Sequence, residues 1–282
     1  MNPQNPQAVQ RDPIDEQALR EAVSGTRWSS IRVVEQTGST NADLVALAAT
    51  SNCVGSVVVA EHQNAGRGRH TRPWVSPPRS QVAMSVAVAA DTRNAPAALG
   101  WLPLLAGLAV VEGIAAVSDL APVLKWPNDV LLPAPGQTTD GIGGRKVCGI
   151  LAELTRGASG TAAIIGIGIN VSLTEAELPV PTAISLELAG AQVDRVDLAA
   201  AVLVALDRRL QQWPDDLEGL RQDYRERCAT LGHQVRVELP LDKQLEGVAV
   251  EIDGSGRVVV QDKLGERVAV SAGDVTHLRI TD

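Results

Sequence analysis

The sequence predicts an α+β fold: a mixed β-sheet domain packed with helices over residues 13–230, then a small C-terminal β-barrel over 231–282. Through residue 230, apolar runs of strand length alternate with segments whose apolar residues recur every three or four positions. From 231 onward, HQVRVELP, LEGVAVEID, GRVVVQD and ERVAVSAGDVTHLRI are short β-rich runs separated by turns such as Asp253-Gly254-Ser255-Gly256. No internal repeat is visible, which removes solenoids and propellers.

The first dozen residues, rich in Pro, Asn and Gln, read as a disordered tail (1–12). A short amphipathic helix follows at 14–23, too short to be a DNA-reading helix-turn-helix domain. SIRVVEQ (30–36) and SVVVAEHQ (56–63) read as strands, and the helix between them opens at the N-capping residues Ser39, Thr40 and Asn41. QVAMSVAVAA (81–90) alternates as a strand. The segment 99–117, LGWLPLLAGLAVVEGIAAV, invites a membrane reading by length, but Pro103 near its start and Glu112 inside it favour a buried core helix. RKVCGILAEL (145–154) and TAAIIGIGINVS (161–172) read as neighbouring strands, and 195–213 as a helix.

Composition narrows the class. Apolar residues make up 45% and charged ones 21%, the balance of a soluble globular chain with no membrane partner. With no Phe and one Tyr, the core must be built from Ala, Val, Leu and Ile, and the tryptophans at 28, 74, 101, 126 and 213 stand out. Three widely separated cysteines without a CxxC pair argue against a disulfide framework and a zinc site, and suit a cytoplasmic location. The N-terminus has no apolar stretch of the secretory kind. A net charge of −8 speaks against a broad nucleic-acid-binding face.

Against that acidic background, GRGRHTRPW (66–74) gathers three arginines between two predicted strands. Such spacing lets Arg67, Arg69 and Arg72 converge on one anion, while Gly66 and Gly68 let the backbone approach it. Like charges 4 Å apart repel by about 4 kcal/mol at an effective dielectric of 20, so the loop should be mobile when empty and ordered by an anion. A solvated surface loop is the competing reading; Trp74 beside it, able to stack on a planar base, favours a site. In LKWPND (124–129), Lys125, Asn128 and Asp129 could orient a phosphate, a base edge or a metal, or simply turn the chain. Lys146 in GGRKVCGILAE (143–153) is either a snorkelling edge charge or a point charge aimed into a pocket. GIGIN (166–170) lacks the third glycine and following helix of a dinucleotide fingerprint, and no P-loop lysine motif occurs.

Taken in order, TGSTN (37–41), EHQNAGRGRHTRPW (61–74), KWPNDV (125–130), GRKVCGILAE (144–153) and GIGIN (166–170) closely resemble the biotin protein ligases from about residue 31 to the C-terminus. The resemblance implies a catalytic domain that binds biotin and ATP, an SH3-like terminal β-barrel, and Mg²⁺ accompanying ATP. It implies formation of biotinyl-5′-AMP, followed by transfer of biotin to a lysine of the biotin carboxyl carrier domain of an acyl-CoA carboxylase. Carried over by motif, Ser39, Thr40, Asn41, Gln63, Gly66, Arg67, Gly68, Arg69, Lys146 and Gly149 would bind biotin. Arg69, Arg72, Trp74, Lys125, Asn128 and Asn170 would bind ATP. Arg67, Arg69, Lys146 and Asp129 would act in catalysis, with Asp129 also the metal contact. His70 and Thr71 replace a second basic pair common in the family, which implies a weaker phosphate grip. The insert PAPGQTTDGIGG (133–144) departs from the family pattern. About thirty residues precede the similar region, so no winged-helix domain, operator binding or other nucleic-acid partner is expected. The nearest rival within the superfamily, a lipoyl or octanoyl transferase, lacks the GRGR and KWPND segments as written here.

Overall fold

The computed structural model describes residues 10–90, 96–133, 144–238, 244–271 and 277–281. The first nine residues of the tail and most of the 133–144 insert lie outside the described residues. Residues 10–12 are anchored, because Arg11 bonds to Ser172 and Glu177 and the Asp12 carbonyl accepts from Arg195.

Helix α1 (Glu16–Ala22) is capped by Asp15, whose carboxylate accepts from the Gln17 and Ala18 N–H groups. Strand β1 (Ser30–Val34), helix α2 (Thr40–Thr50) and strand β2 (Ser56–Ala60) form a unit in which β1 and β2 pair in parallel. Strand β3 (Gln81–Ala89) leads to α3 (Leu102–Val117), the short hairpin β4 (Val123–Lys125) and β5 (Asp129–Leu132), and the long hairpin β6 (Arg145–Gly157) and β7 (Gly160–Asn170). Helices α4 (Arg195–Gln212) and α5 (Leu217–Arg227) complete the large domain. Its seven strands run β1-β2-β3-β7-β6-β5-β4, antiparallel except at β1/β2.

Eight of the nine residues of β3 are buried because both faces of the sheet are covered. Leu44 and Ala48 of α2 pack with Val58, Ala87 and Ile164 on one face, while α3 and α4 lie in the main core on the other. Glu112, the charge inside the apolar segment, pairs with Arg208 at 2.6 Å and also with Arg209, both on α4. That pairing makes α3 a core helix whose one carboxylate is neutralised by its neighbour.

The C-terminal domain is a five-stranded antiparallel sheet: β8 (Gln234–Glu238), β9 (Gln244–Ile252), β10 (Val258–Gln261), β11 (Arg267–Val270) and β12 (His277–Thr281). The order is β11-β10-β9-β8-β12. This small antiparallel sheet is the separate C-terminal β domain expected from the sequence, with β11 and β12 at its two edges among the described residues. Val235, Val237, Ala249, Val258 and Val260 belong to the same apolar cluster as Trp101 and Leu104. The β9–β10 turn is tied to the large domain: Trp101 Nε1 donates to the Gly254 carbonyl at 3.0 Å, and Trp126 Nε1 to that of Gly256 at 2.9 Å. Trp28 and Trp213 likewise donate to the carbonyls of Leu203 and Ala98.

Candidate active site

A cavity of about 440 Å³ opens over the middle of the large sheet, and segments far apart in sequence line it. Ser39, Thr40 and Asn41 come from the start of α2, Gln63 from the turn after β2, and Arg67 to His70 and Arg72 to Val75 from the basic loop. Lys125 to Asp129 come from the β4–β5 hairpin, Lys146 and Gly149 from β6, and Gly166, Ile167, Gly168 and Asn170 from β7. Every residue anticipated for binding or catalysis lines this cavity except Gly66. That glycine is buried under the loop, where an added Cβ would meet the Trp74 carbonyl at 2.5 Å.

At one end the groups are neutral and already engaged. Ser39 occupies the N-cap of α2 without a side-chain cap bond. The cap is instead Gln63, whose Oε1 accepts from the Thr40 backbone N–H at 2.9 Å. With its oxygen held by the helix, Gln63 can offer a ligand only its amide N–H groups. Asn41 is fixed by Ser85, which donates to its Oδ1 at 2.6 Å, and by its own donation to Glu153 at 2.6 Å. Glu153 also stands 3.8 Å from Arg67. It is a wall-supporting carboxylate within the GRKVCGILAE motif to which sequence reading assigned no part.

At the other end, charge gathers. Lys146 Nζ lies 2.6 Å from Asp129 Oδ1 and 5.5 Å from the centre of the Trp74 ring. Arg69 donates to Asn128 Oδ1 at 3.2 Å, and Asn128 Nδ2 donates to the Ile150 carbonyl. Burial presses the Arg69 guanidinium below its ordinary pKa, opposed by the Asp129 carboxylate and reinforced by Arg72. Because arginine stays protonated, that shift measures lost hydration, which an arriving anion would offset. Cys148, two residues after Lys146, is fully buried, and burial raises its thiol far above the usual range, so it is no nucleophile.

The basic loop is folded on itself. Trp74 N–H donates to the Gly66 carbonyl at 2.8 Å and Gly68 N–H to the Arg72 carbonyl at 2.7 Å. Its tip, His70 and Thr71, has positive φ of 55° and 58°. Such strain costs about 1–3 kcal/mol per residue and concentrates at segments that serve ligands.

Trp74 donates from Nε1 to Gln81 Oε1 at 2.6 Å, and its indole rests on bare sheet. A Cβ at Gly168 would lie 2.7 Å from the ring and one at Gly149 3.0 Å, while one at Gly166 would strike Asn41. GIGIN therefore supplies a floor without side chains and not a phosphate turn. Asn170 is buried and donates to the Ile184 carbonyl at 3.1 Å. Pro179, Val180, Thr182 and Ala183, which no sequence motif marked, close the cavity beside it.

Comparison with known proteins identifies the family. Residues 33–170 match the model of the Biotin/lipoate A/B protein ligase family, and residues 230–278 that of the Biotin protein ligase C terminal domain. The chain is 42% identical to Biotin--[acetyl-CoA-carboxylase] ligase of Mycobacterium tuberculosis over 95% of its length and 97% of the relative's. It is 33% identical to the Bifunctional ligase/repressor BirA of Escherichia coli over 73% of its length and 62% of that protein's. The structure of the biotin protein ligase from Aquifex aeolicus in complex with biotin and ATP is 25% identical, covers 90% of this chain and 100% of its own, and superposes with a TM-score of 0.72. The chain belongs to the biotin protein ligase family.

Proposed function

We propose that this protein activates biotin with MgATP and transfers it to a lysine of a biotin carboxyl carrier domain. The observation that carries this reading is the two-ended cavity: a neutral, pre-bonded amide and hydroxyl end, and a cationic end built from the loop, the hairpin and β6. The biotin ring fits Ser39, Thr40, Asn41 and Gln63, and the nucleotide fits Trp74, Asn170, Arg72, Lys125 and Asn128.

In the first step the biotin carboxylate attacks the α-phosphorus of ATP, the bond to the bridging oxygen breaks, and pyrophosphate leaves. Two anions must meet, so Arg67, Arg69 and Lys146 act by neutralising charge that grows on the phosphoryl oxygens. Mg²⁺ carried by the nucleotide would supply further neutralisation of its phosphates, with Asp129 as the residue to hold it. Such an ion keeps several waters and needs only one or two protein carboxylates. Asp129 is the one carboxylate lining the cavity among the described residues and would be the protein's contact to that ion. In the second step a neutral lysine amine attacks the acyl carbon, AMP departs with the anhydride oxygen, and Asp129 takes the released proton.

The test is to mix the protein with biotin, MgATP and a carrier domain and weigh the carrier. A gain of one biotinyl group is expected; an unchanged mass with pyrophosphate also absent refutes the reading. The loop itself is tested by Arg69→Gly. Removing a guanidinium that bridges to Asn128 should loosen closure and let the adenylate escape. Random labelling of lysines on an unrelated protein should then rise several-fold, and leakage at the wild-type level would deny the loop a lid role.

A further inference from the structure

Arg11 lies outside the stretch matched by the family model, near the start of the described chain, yet its side chain is only 9% exposed. Its side chain is bonded to one distant segment. Nε donates to Ser172 Oγ at 3.0 Å, and Nη2 to the Ser172 carbonyl at 2.8 Å and to Glu177 Oε2 at 2.6 Å. The same Glu177 oxygen accepts from the Thr174 N–H and hydroxyl, closing a capping box around one short helical turn. Burial raises the Glu177 carboxyl, but Arg11 and Thr174 outweigh it and the group sits below its usual range.

The segment that follows Glu177 is the unmarked cavity wall. At its far end it is sewn to the catalytic lysine: Lys146 N–H donates to the Thr182 carbonyl at 2.7 Å, and Ile184 N–H to the Lys146 carbonyl at 2.9 Å. Between these two fixings only residues 178–181 are left, and Pro179 and Val180 among them line the cavity next to Asn170. Val180 is half exposed, and its carbonyl accepts from the Ala183 N–H at 3.0 Å, so its place follows that of the fixings on either side.

The piece carrying Arg11 is itself immobilised from beneath. Arg195 donates to the Asp12 carbonyl, and Ile14 N–H donates to Glu61 Oε1 at 2.5 Å. Arg195 in turn reaches the Gln81 carbonyl, and the Gln81 side chain accepts the Trp74 indole N–H. One strap of five residues is thereby connected to both walls of the nucleotide end.

From this geometry we infer that residues 10–14 form a positioning strap, and that Arg11 is a positioning residue that sets the 178–181 wall against the nucleotide. The inference rests on the assignment of that end of the cavity to ATP. Arg11 touches no substrate; it acts through Ser172 and Glu177.

The experiment is steady-state pyrophosphate release with biotin and MgATP, together with amide hydrogen exchange, on the full-length protein and its Arg11→Ala and Arg11→Lys variants. Losing hydrogen bonds to a charged group costs enough for about a tenfold change. Arg11→Ala should raise KM for ATP about tenfold, leaving KM for biotin and kcat within twofold. Amides of 177–183 should exchange faster while those of the sheet do not. Arg11→Lys, which keeps a charge opposite Glu177, should fall between. An unchanged KM for ATP overturns the strap's role, as does an equal loss in both KM values and kcat with global destabilisation. If the wild type releases no pyrophosphate, the assignment of the cavity to ATP fails instead; unchanged exchange at 177–183 in Arg11→Ala would then overturn the anchor as well.

Discussion

Lys146→Ala should reduce biotin-dependent pyrophosphate release by at least about 10²–10³-fold, the usual cost of deleting one group that stabilises transition-state charge. Two effects add in the same direction. The ammonium that would face the phosphoryl oxygens is gone, and Asp129 loses the cation 2.6 Å from its buried oxygen. The remaining carboxylate then repels both anions it once helped to arrange. The fold should survive, because the β6 backbone bonds to Thr182 and Ile184 do not involve the side chain. Wild-type release from a folded Lys146→Ala protein would remove Lys146 from the chemistry.

The largest effect on stability is expected at Arg195. Arg195 and Glu61 are 7% and 1% exposed and their charged groups lie 2.6 Å apart, at the junction of β2, β3, α4 and the N-terminal segment. Deleting one partner of a buried pair leaves an uncompensated charge and costs about 3–5 kcal/mol. At about 2–4 °C per kcal/mol for a chain of this size class, Arg195→Ala should melt some 6–20 °C below wild type. Adding Glu61→Gln removes the orphaned charge and should restore part of the loss. A single variant melting with wild type would show that the pair carries no weight, and a double variant no better than the single would assign the loss to packing.

What could be read from the sequence follows the physical strength of each signal. β2, β3, β6 and β7 are β-branched or apolar runs, α4 shows its apolar period, and α3 is an apolar segment too long for a strand. α5 escaped because LEGLRQDYRER buries only Leu220 and Tyr224, too few to mark a face. β4 and β5 escaped because they are three and four residues long. KWPND does turn the chain, but between two strands and over residues 126–128, so that Lys125 and Asp129 face each other across the hairpin. Convergence of the basic loop, Lys146 and Asn170 came from resemblance, since no local pattern records which strands become neighbours. Gln63 as a helix cap and residues 179–183 as a wall depend on contacts between segments that share no motif.

The shortage of aromatic residues has an optical consequence. Every tryptophan indole N–H is bonded, four of them to main-chain carbonyls of other segments, so those four emit from fixed surroundings. Trp74 alone joins partial exposure to a place on the cavity wall. Intrinsic fluorescence of the unlabelled protein is therefore a reporter of cavity occupancy, with little Tyr and no Phe signal to obscure it.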